Sequence, residues 1–312
     1  MFFGLSLWQL ALSLTLAFLL DKWLAEPKRF HPLIGFGNWA NWLEARCRGL
    51  NVTPMWQGRI AWFVAVVPLV SLIACLTIGV SSDVFTIAIH ATIVYLCLGA
   101  KSLEQHAMAI YTPLNERDLA SGRAAVQMIV SRDANRMDEE QISIAAVESV
   151  LENGNDAVIA TLFWGLLFGA PGAVLFRLAN TLDAMWGYQS DKYLHFGRFT
   201  AKTDDWLGYL PARITAFGYV LLSDSKSALE CASQQAGQCS SPNGGLVMCA
   251  GAGGLNIQLG GKVSYHGEWI EKPPMGKGQI AQYKDIPRAC HLLNQTTWLV
   301  LGMVWAGALL GY

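Results

Sequence analysis

Between Ile60 and Ala100 the chain carries no lysine or arginine, and its one acid there, Asp83, sits in the turn Ser81-Ser82-Asp83 that divides two apolar runs. Ile60–Val80 and Val84–Ala100 are each close to the ~20 residues that a helix needs to cross the hydrocarbon core of a bilayer. Inside lipid every backbone N–H and C=O must be satisfied by the chain itself, so runs of this length commit it to membrane-spanning helices. Met1–Leu20 makes a third such run. It has no basic residue ahead of it and no small-x-small cleavage site, so it reads as a retained helix rather than a cleaved leader. A fourth covers Leu292–Tyr312, with Asn294, Gln295, Thr296 and Thr297 as an interfacial first turn. Composition agrees: 14% of residues are charged, against roughly 25% in a soluble domain.

The basic residues set an orientation. All 22 lie between Lys22 and Arg288, six in 22–59, five in 101–156 and eleven in 157–291. The Ser81–Asp83 turn and both termini are the segments free of positive charge, and the positive-inside rule places those outside and the remainder in the cytoplasm. Two further apolar stretches interrupt that scheme. Ala157–Leu182 is broken by Gly169-Ala170-Pro171-Gly172 and carries Arg177, while Tyr209–Leu222 is short and carries Arg213. They are read as a re-entrant hairpin and a buried helix, which membrane proteins tolerate where backbone lines a protein cavity.

The expected fold is therefore an all-α integral membrane protein: about four transmembrane helices, re-entrant or buried helices, and long cytoplasmic loops. It forms a single integral membrane domain over 1–312, with motif-bearing polar loops at 21–59, 101–156, 183–208 and 223–291. Asp138 followed by Gln141 predicts a capping box for a helix running to about Glu152, and Pro211 suits the first turn of a helix over Ala212–Leu222. The glycine-rich stretch from Ser240 to Gly267 fits no element.

Polar clusters border the apolar runs, and ionisable groups near membrane depth are expensive enough to suggest a role. They are Asp21 with Glu26-Pro27 and His31-Pro32; Ser131-Arg132-Asp133; Glu148, Glu152-Asn153 and Asp156; Asn180-Thr181-Leu182-Asp183 with Gly187-Tyr188; Lys202-Thr203-Asp204-Asp205 with Tyr209-Leu210-Pro211-Ala212-Arg213; and Ser241-Pro242-Asn243-Gly244-Gly245 with Gly251-Ala252-Gly253 and Leu259-Gly260-Gly261. Glu148 and Glu152 are four apart, on one helix face, where like charges repel unless a cation lies between them; magnesium would serve, and a solvated helix face accounts for the pattern as well. Adjacent Asp204 and Asp205 near a helix start suit a metal ion, and a helix N-terminus with Arg213 suits a phosphate.

Other chemistries are excluded. A net charge of −1 argues against a nucleic-acid partner. Seven cysteines without a Cys-x-x-Cys pair support neither a disulfide framework nor a zinc site. There is no Walker loop, Rossmann glycine fingerprint, His-Glu-x-x-His pair or Gly-x-Ser-x-Gly elbow. His90, within an apolar run, reads as a packed or hydrogen-bonded histidine.

In this order the clusters resemble the CbiB/CobD family of adenosylcobinamide-phosphate synthases, over about Asp21 to Gly267. Ala25-Glu26-Pro27 stands where the family has Gly-Asp-Pro, and Ala157 and Thr161 replace an expected glycine and proline. The resemblance implies an enzyme, an amide-forming ligase of cobalamin biosynthesis that joins adenosylcobyric acid to aminopropanol phosphate or a similar amino alcohol. Condensing an ammonium with a carboxylate needs activation, and the simplest form is an acyl phosphate made with Mg2+ and ATP. Asp133, Glu152 and Asp205 are then candidate catalytic acids and bases; Arg132, Lys202, Arg213, Asn243 and Asn180 candidate substrate and phosphate binders; and Glu148, Glu152, Asp156, Asp183, Asp204 and Asp205 candidate metal ligands. Expected partners are the corrinoid and amino-alcohol substrates, the lipid bilayer, and further copies of the chain or other late membrane enzymes of the pathway. The expected location is the cell inner membrane, multi-pass, with the motif loops facing the cytoplasm. The alternative is a related membrane family, AmpE, of sensory rather than synthetic role.

Overall fold

The computed structural model describes residues 5–27, 31–80, 82–130, 133–265 and 268–311. It is mostly helical, and five helical stretches are long and apolar enough to cross a membrane: Leu7–Leu24, Pro54–Ile78, Asp83–Asn115, Glu139–Trp186 and Asp285–Leu310. Four overlap the expected spans. The fifth contains the segment expected to re-enter.

The chain divides into two compact units. The first comprises Met1–Gly99, Ala160–Gly208 and Met303–Tyr312. It holds α1 (Leu7–Leu24), α2 (Pro32–Cys47), α3 (Pro54–Ile78), α4 (Asp83–Cys97) and α8 (Ala160–Trp186), with α1, α3 and α2 all packing on α8. Its core sets Phe36, Trp62, Phe176, Trp186 and Phe196 against small residues such as Ala40, Ala61 and Ala179, so that helices approach closely, as they do when packing rather than water drives association in lipid. The break expected in α8 is present. Gly169 takes φ 65° and ψ −153°, a conformation open to glycine alone. The next amide, Ala170 N–H, leaves the helical ladder and donates to Nδ1 of buried His90 at 2.9 Å. His90 is thus the hydrogen-bonded histidine that its setting suggested.

The second unit comprises Ala100–Ile159 and Tyr209–Gly302. It contains α5 (Ala100–Asn115), α6 (Leu119–Gln127), α7 (Glu139–Gly154), α10 (Ser225–Gln235) and α11 (Gly244–Leu255), together with most of α12 (Asp285–Leu310). The long loops expected here and in the first unit are largely helices. Local capping explains much of that, since Asp118, Asp138 and Asp224 each accept a backbone N–H from the first turn that follows.

The glycine-rich stretch, which fitted no element, contributes a small sheet of order β2-β1-β3 to this mostly helical fold, with β1 (Ile257–Tyr265) antiparallel to β2 (Glu268–Gly276) and parallel to β3 (Gln279–Ile280). One expectation needs correction. Helix α9 runs unbroken from Arg198 to Leu222 and buries Pro211 in its interior, so 209–222 is no separate helix. An interior proline strips the carbonyl four residues back of its donor. Here that carbonyl, Leu207 C=O, accepts from the Trp164 indole at 3.0 Å instead.

Candidate active site

The second unit brings together the Glu148–Asp156 cluster, Arg213 and the Ser241–Asn243 cluster, and α7 is their axis. Asp138 accepts from Gln141 N–H at 2.8 Å, and Gln141 Oε1 accepts from Asp138 N–H at 3.2 Å. This is the predicted capping box, and it fixes a register in which Glu148 and Glu152 share one face. After Gly154 the helix widens into a π turn, Asn155–Ile159, a feature that recurs at functional sites. The turn carries buried Asn155, whose amide nitrogen donates to Asp156 Oδ1 at 2.9 Å while its oxygen accepts from Thr215 Oγ1 at 2.8 Å.

The cation that the Glu148–Glu152 spacing asks for is supplied at Glu148 by a lysine. Lys272 Nζ on β2 lies 2.7 Å from Glu148 Oε2. The other oxygen accepts from Gly260 N–H at 3.2 Å, a backbone donor freed by the bulge between Leu259 and Gly261. Glu152, half-buried, faces a different neighbour. A Cβ on Gly244 would lie 2.3 Å from Glu152 Oε1, so the carboxylate rests directly on the first residue of α11, where glycine alone leaves room. Asp156 is the strongest charge acting on Glu152, and Lys272 opposes it.

Arg213 faces the same helix start. It donates to Asn243 Oδ1 at 2.8 Å and to Tyr209 C=O at 3.0 Å, with its guanidinium 3.5 Å from the centre of the Tyr209 ring. Asn243 precedes Gly244, whose N–H donates to Ser241 Oγ at 3.0 Å. The helix N-terminus near Arg213 is thus that of α11, since Arg213 itself lies inside α9.

The first unit assembles a second set. Asn180 on α8 donates to Asp204 Oδ1 on α9 at 3.3 Å. Asp183 is packed against Gly187, where a Cβ would come 2.0 Å from its Oδ1. Lys202 and Asp205 are exposed, and Asp204-Asp205 lie within α9 rather than at a helix start. Asp133, of the second unit, is exposed and accepts locally from Asn135 N–H at 2.9 Å. Arg132 and Ser131 lie outside the described residues. All seven cysteines are free thiols.

The model of the CobD/Cbib protein family matches residues 14–293. The chain belongs to the CobD/CbiB family. Among CobD relatives, "Cobalamin biosynthesis protein CobD" of Chromobacterium violaceum is 46% identical, covering 96% of this chain and 97% of its own. The protein of the same name from Stutzerimonas stutzeri is 44% identical over 95% and 93%, and that of Halalkalibacterium halodurans 33% over 96% of each. No solved structure matches the chain.

At this candidate site, sequence reasoning missed Lys272, Asn155 and Thr215. Asn155 had a signal, because it lies between two marked acids. Lys272 had one only through a hairpin, and glycines at 260 and 261 obscured the alternation that marks a strand.

Proposed function

We propose that the chain joins a propionate carboxylate of adenosylcobyric acid to the amine of aminopropanol phosphate or a closely similar amino alcohol. Membership of the CobD/CbiB family supports an amide-forming ligase of cobalamin biosynthesis, rather than a sensor. The observation that carries the site is the convergence of Glu152, Asp156, Arg213 and Asn243 in one unit, at the start of α11.

At neutral pH the amine is an ammonium, and it must lose a proton before its lone pair can attack. Glu152, next to Asp156, is placed to accept that proton. Arg213, held by Asn243 and by the Tyr209 carbonyl and ring, offers a preorganised positive charge for carboxylate or phosphate oxygens. Magnesium-ATP would supply the phosphoryl group that activates the carboxylate. Among the described residues no three histidine, cysteine or acidic side chains form a metal cage. Magnesium, however, is commonly held by one or two carboxylates plus substrate phosphates, and Glu152 with Asp156 fits that pattern. Glu148, engaged by Lys272, fits a supporting role. In the first unit, Lys202 is proposed to meet phosphate, with Asn180, Asp183, Asp204 and Asp205 as polar and acidic groups for metal or proton transfer. The basic residues support an inner-membrane protein with these motifs in the cytoplasm.

A strain that requires cobinamide because it lacks this step tests the reading. Expression of the chain should restore growth on cobyric acid; failure to do so with membrane-inserted protein would overturn the synthase in favour of the sensory reading.

A further inference from the structure

Helices α2, α3, α4 and α8 of the first unit line a half-open cavity of about 390 Å3, within the ~300–1,000 Å3 of small-ligand sites. Its walls are hydrocarbon, with Leu33, Phe36, Leu72, Ile73 and Leu96 among them, and Arg177 is the charged group in its lining. A guanidinium among candidate membrane spans is costly, and the Nε of Arg177 is buried with no hydrogen-bond partner among the described residues.

A second nitrogen is in the same condition. His31 precedes Pro32 of the cavity wall and is 6% exposed. Its Nδ1 accepts from Leu33 N–H at 3.2 Å, which puts the ring proton on Nε2. That Nε2 is buried and has no partner among the described residues, and the ring feels the charges of Glu26 and, less strongly, Arg177. A buried donor left unmade costs about 1–3 kcal/mol. One such donor in the cavity lining, on Arg177, and one on His31, next to Pro32 of its wall, match a ligand with an anionic head and a hydrocarbon tail.

We propose that this cavity binds one anionic phospholipid of the surrounding bilayer, its acyl chain against α2, α3 and α4 and a phosphate oxygen accepting from Arg177 and His31. Polar substrates fit poorly, because their groups would meet hydrocarbon walls without partners. Lipid chains are the hydrocarbon at hand, since α3, α4 and α8 belong to candidate membrane spans. The inference does not depend on the synthase reading.

Native mass spectrometry of the full chain in detergent tests it, with phosphatidylglycerol and the phosphate-free diacylglycerol of identical acyl chains as probes. Wild type should retain one phosphatidylglycerol with about a tenfold preference, the worth of one charge-assisted hydrogen bond. Arg177→Gln should abolish that preference. Gly35→Leu should reduce retention of both lipids, because Gly35 lines the cavity and a Cβ there meets nothing within 4 Å. It also replaces a helical glycine with a better helix former, so α2 should fold even if Arg177→Gln does not. Equal retention of the two lipids by wild type, unchanged retention in Gly35→Leu, or displacement of phosphatidylglycerol by aminopropanol phosphate or inorganic phosphate would overturn the proposal.

Discussion

Lys272 Nζ sits 2.7 Å from Glu148 Oε2 and so ties β2 of the glycine-rich sheet to the helix that carries Glu152. Glu148 is only 4% exposed, and losing its cation would leave a buried carboxylate with a backbone donor in place of an ion pair. Removing one partner of a buried pair costs about 3–5 kcal/mol, whereas replacing both by apolar groups is often near neutral. Lys272→Met should therefore lower stability in detergent by about 3 kcal/mol, and adding Glu148→Leu should recover most of that loss. A loss in the double variant equal to the sum of the losses in Lys272→Met and Glu148→Leu alone would show that the pair is not coupled.

Gly244→Ala should separate position from stability. The introduced Cβ meets the far end of the Glu152 side chain, which can swing away at little cost to the fold but loses its place. A displacement of about 1 Å can cost ~10²-fold in rate, so kcat should fall by about that factor with an almost unchanged melting temperature. Gly237→Ala, whose Cβ meets nothing within 4 Å, should be neutral in both. Wild-type turnover in Gly244→Ala would remove the need for Glu152 at the start of α11.

Glu44 gives the first unit an acid limit. Burial opposes its ionisation, but hydrogen bonds from Lys192, Arg48 and Tyr193 more than offset this and hold its pKa below the ordinary 4.5. Lys192 and Arg48 lie 3.0 and 2.9 Å from Oε1. A carboxyl with a depressed folded pKa contributes stability that is fully present above its unfolded pKa and is lost as pH falls through the folded value. Wild type should thus exceed Glu44→Gln in thermal stability near neutral pH, with the gap closing below about pH 4.5. A gap independent of pH would mean that packing, not charge, is what the variant loses.

Orientation can be read with single cysteines in a cysteine-free background. A cysteine at Ser82 should react with an impermeant thiol reagent outside intact cells, and cysteines at Ser190 or Ser241 should not. Labelling at Ser241 would reverse the orientation; labelling at Ser190 alone would mean that 157–182 crosses the membrane.

What the sequence made legible was set by local physics. The α7 capping box needs four consecutive residues, and the break at Gly169 needs a Gly-Ala-Pro-Gly run, so both could be read directly. Pro211 was misplaced at a helix start because its cost is met by Trp164, 43 residues from Leu207 along the chain. Lys272 is 124 residues from Glu148, and no spacing rule spans that distance. The acids were visible as a set, but their division between two units depends on how α8 and α9 pack, which short motifs do not encode.

The most direct measurement is turnover by the purified chain in detergent, supplied with adenosylcobyric acid, aminopropanol phosphate and magnesium-ATP. Wild type should yield the cobinamide phosphate with one phosphoanhydride bond cleaved per amide formed. Glu152→Gln should remain folded and lose about 10²–10⁴-fold in rate, the usual worth of a positioned proton acceptor. Product without nucleotide cleavage would remove ATP from the reaction while keeping the synthase. Folded wild type that forms no product with any amino alcohol would contradict the account.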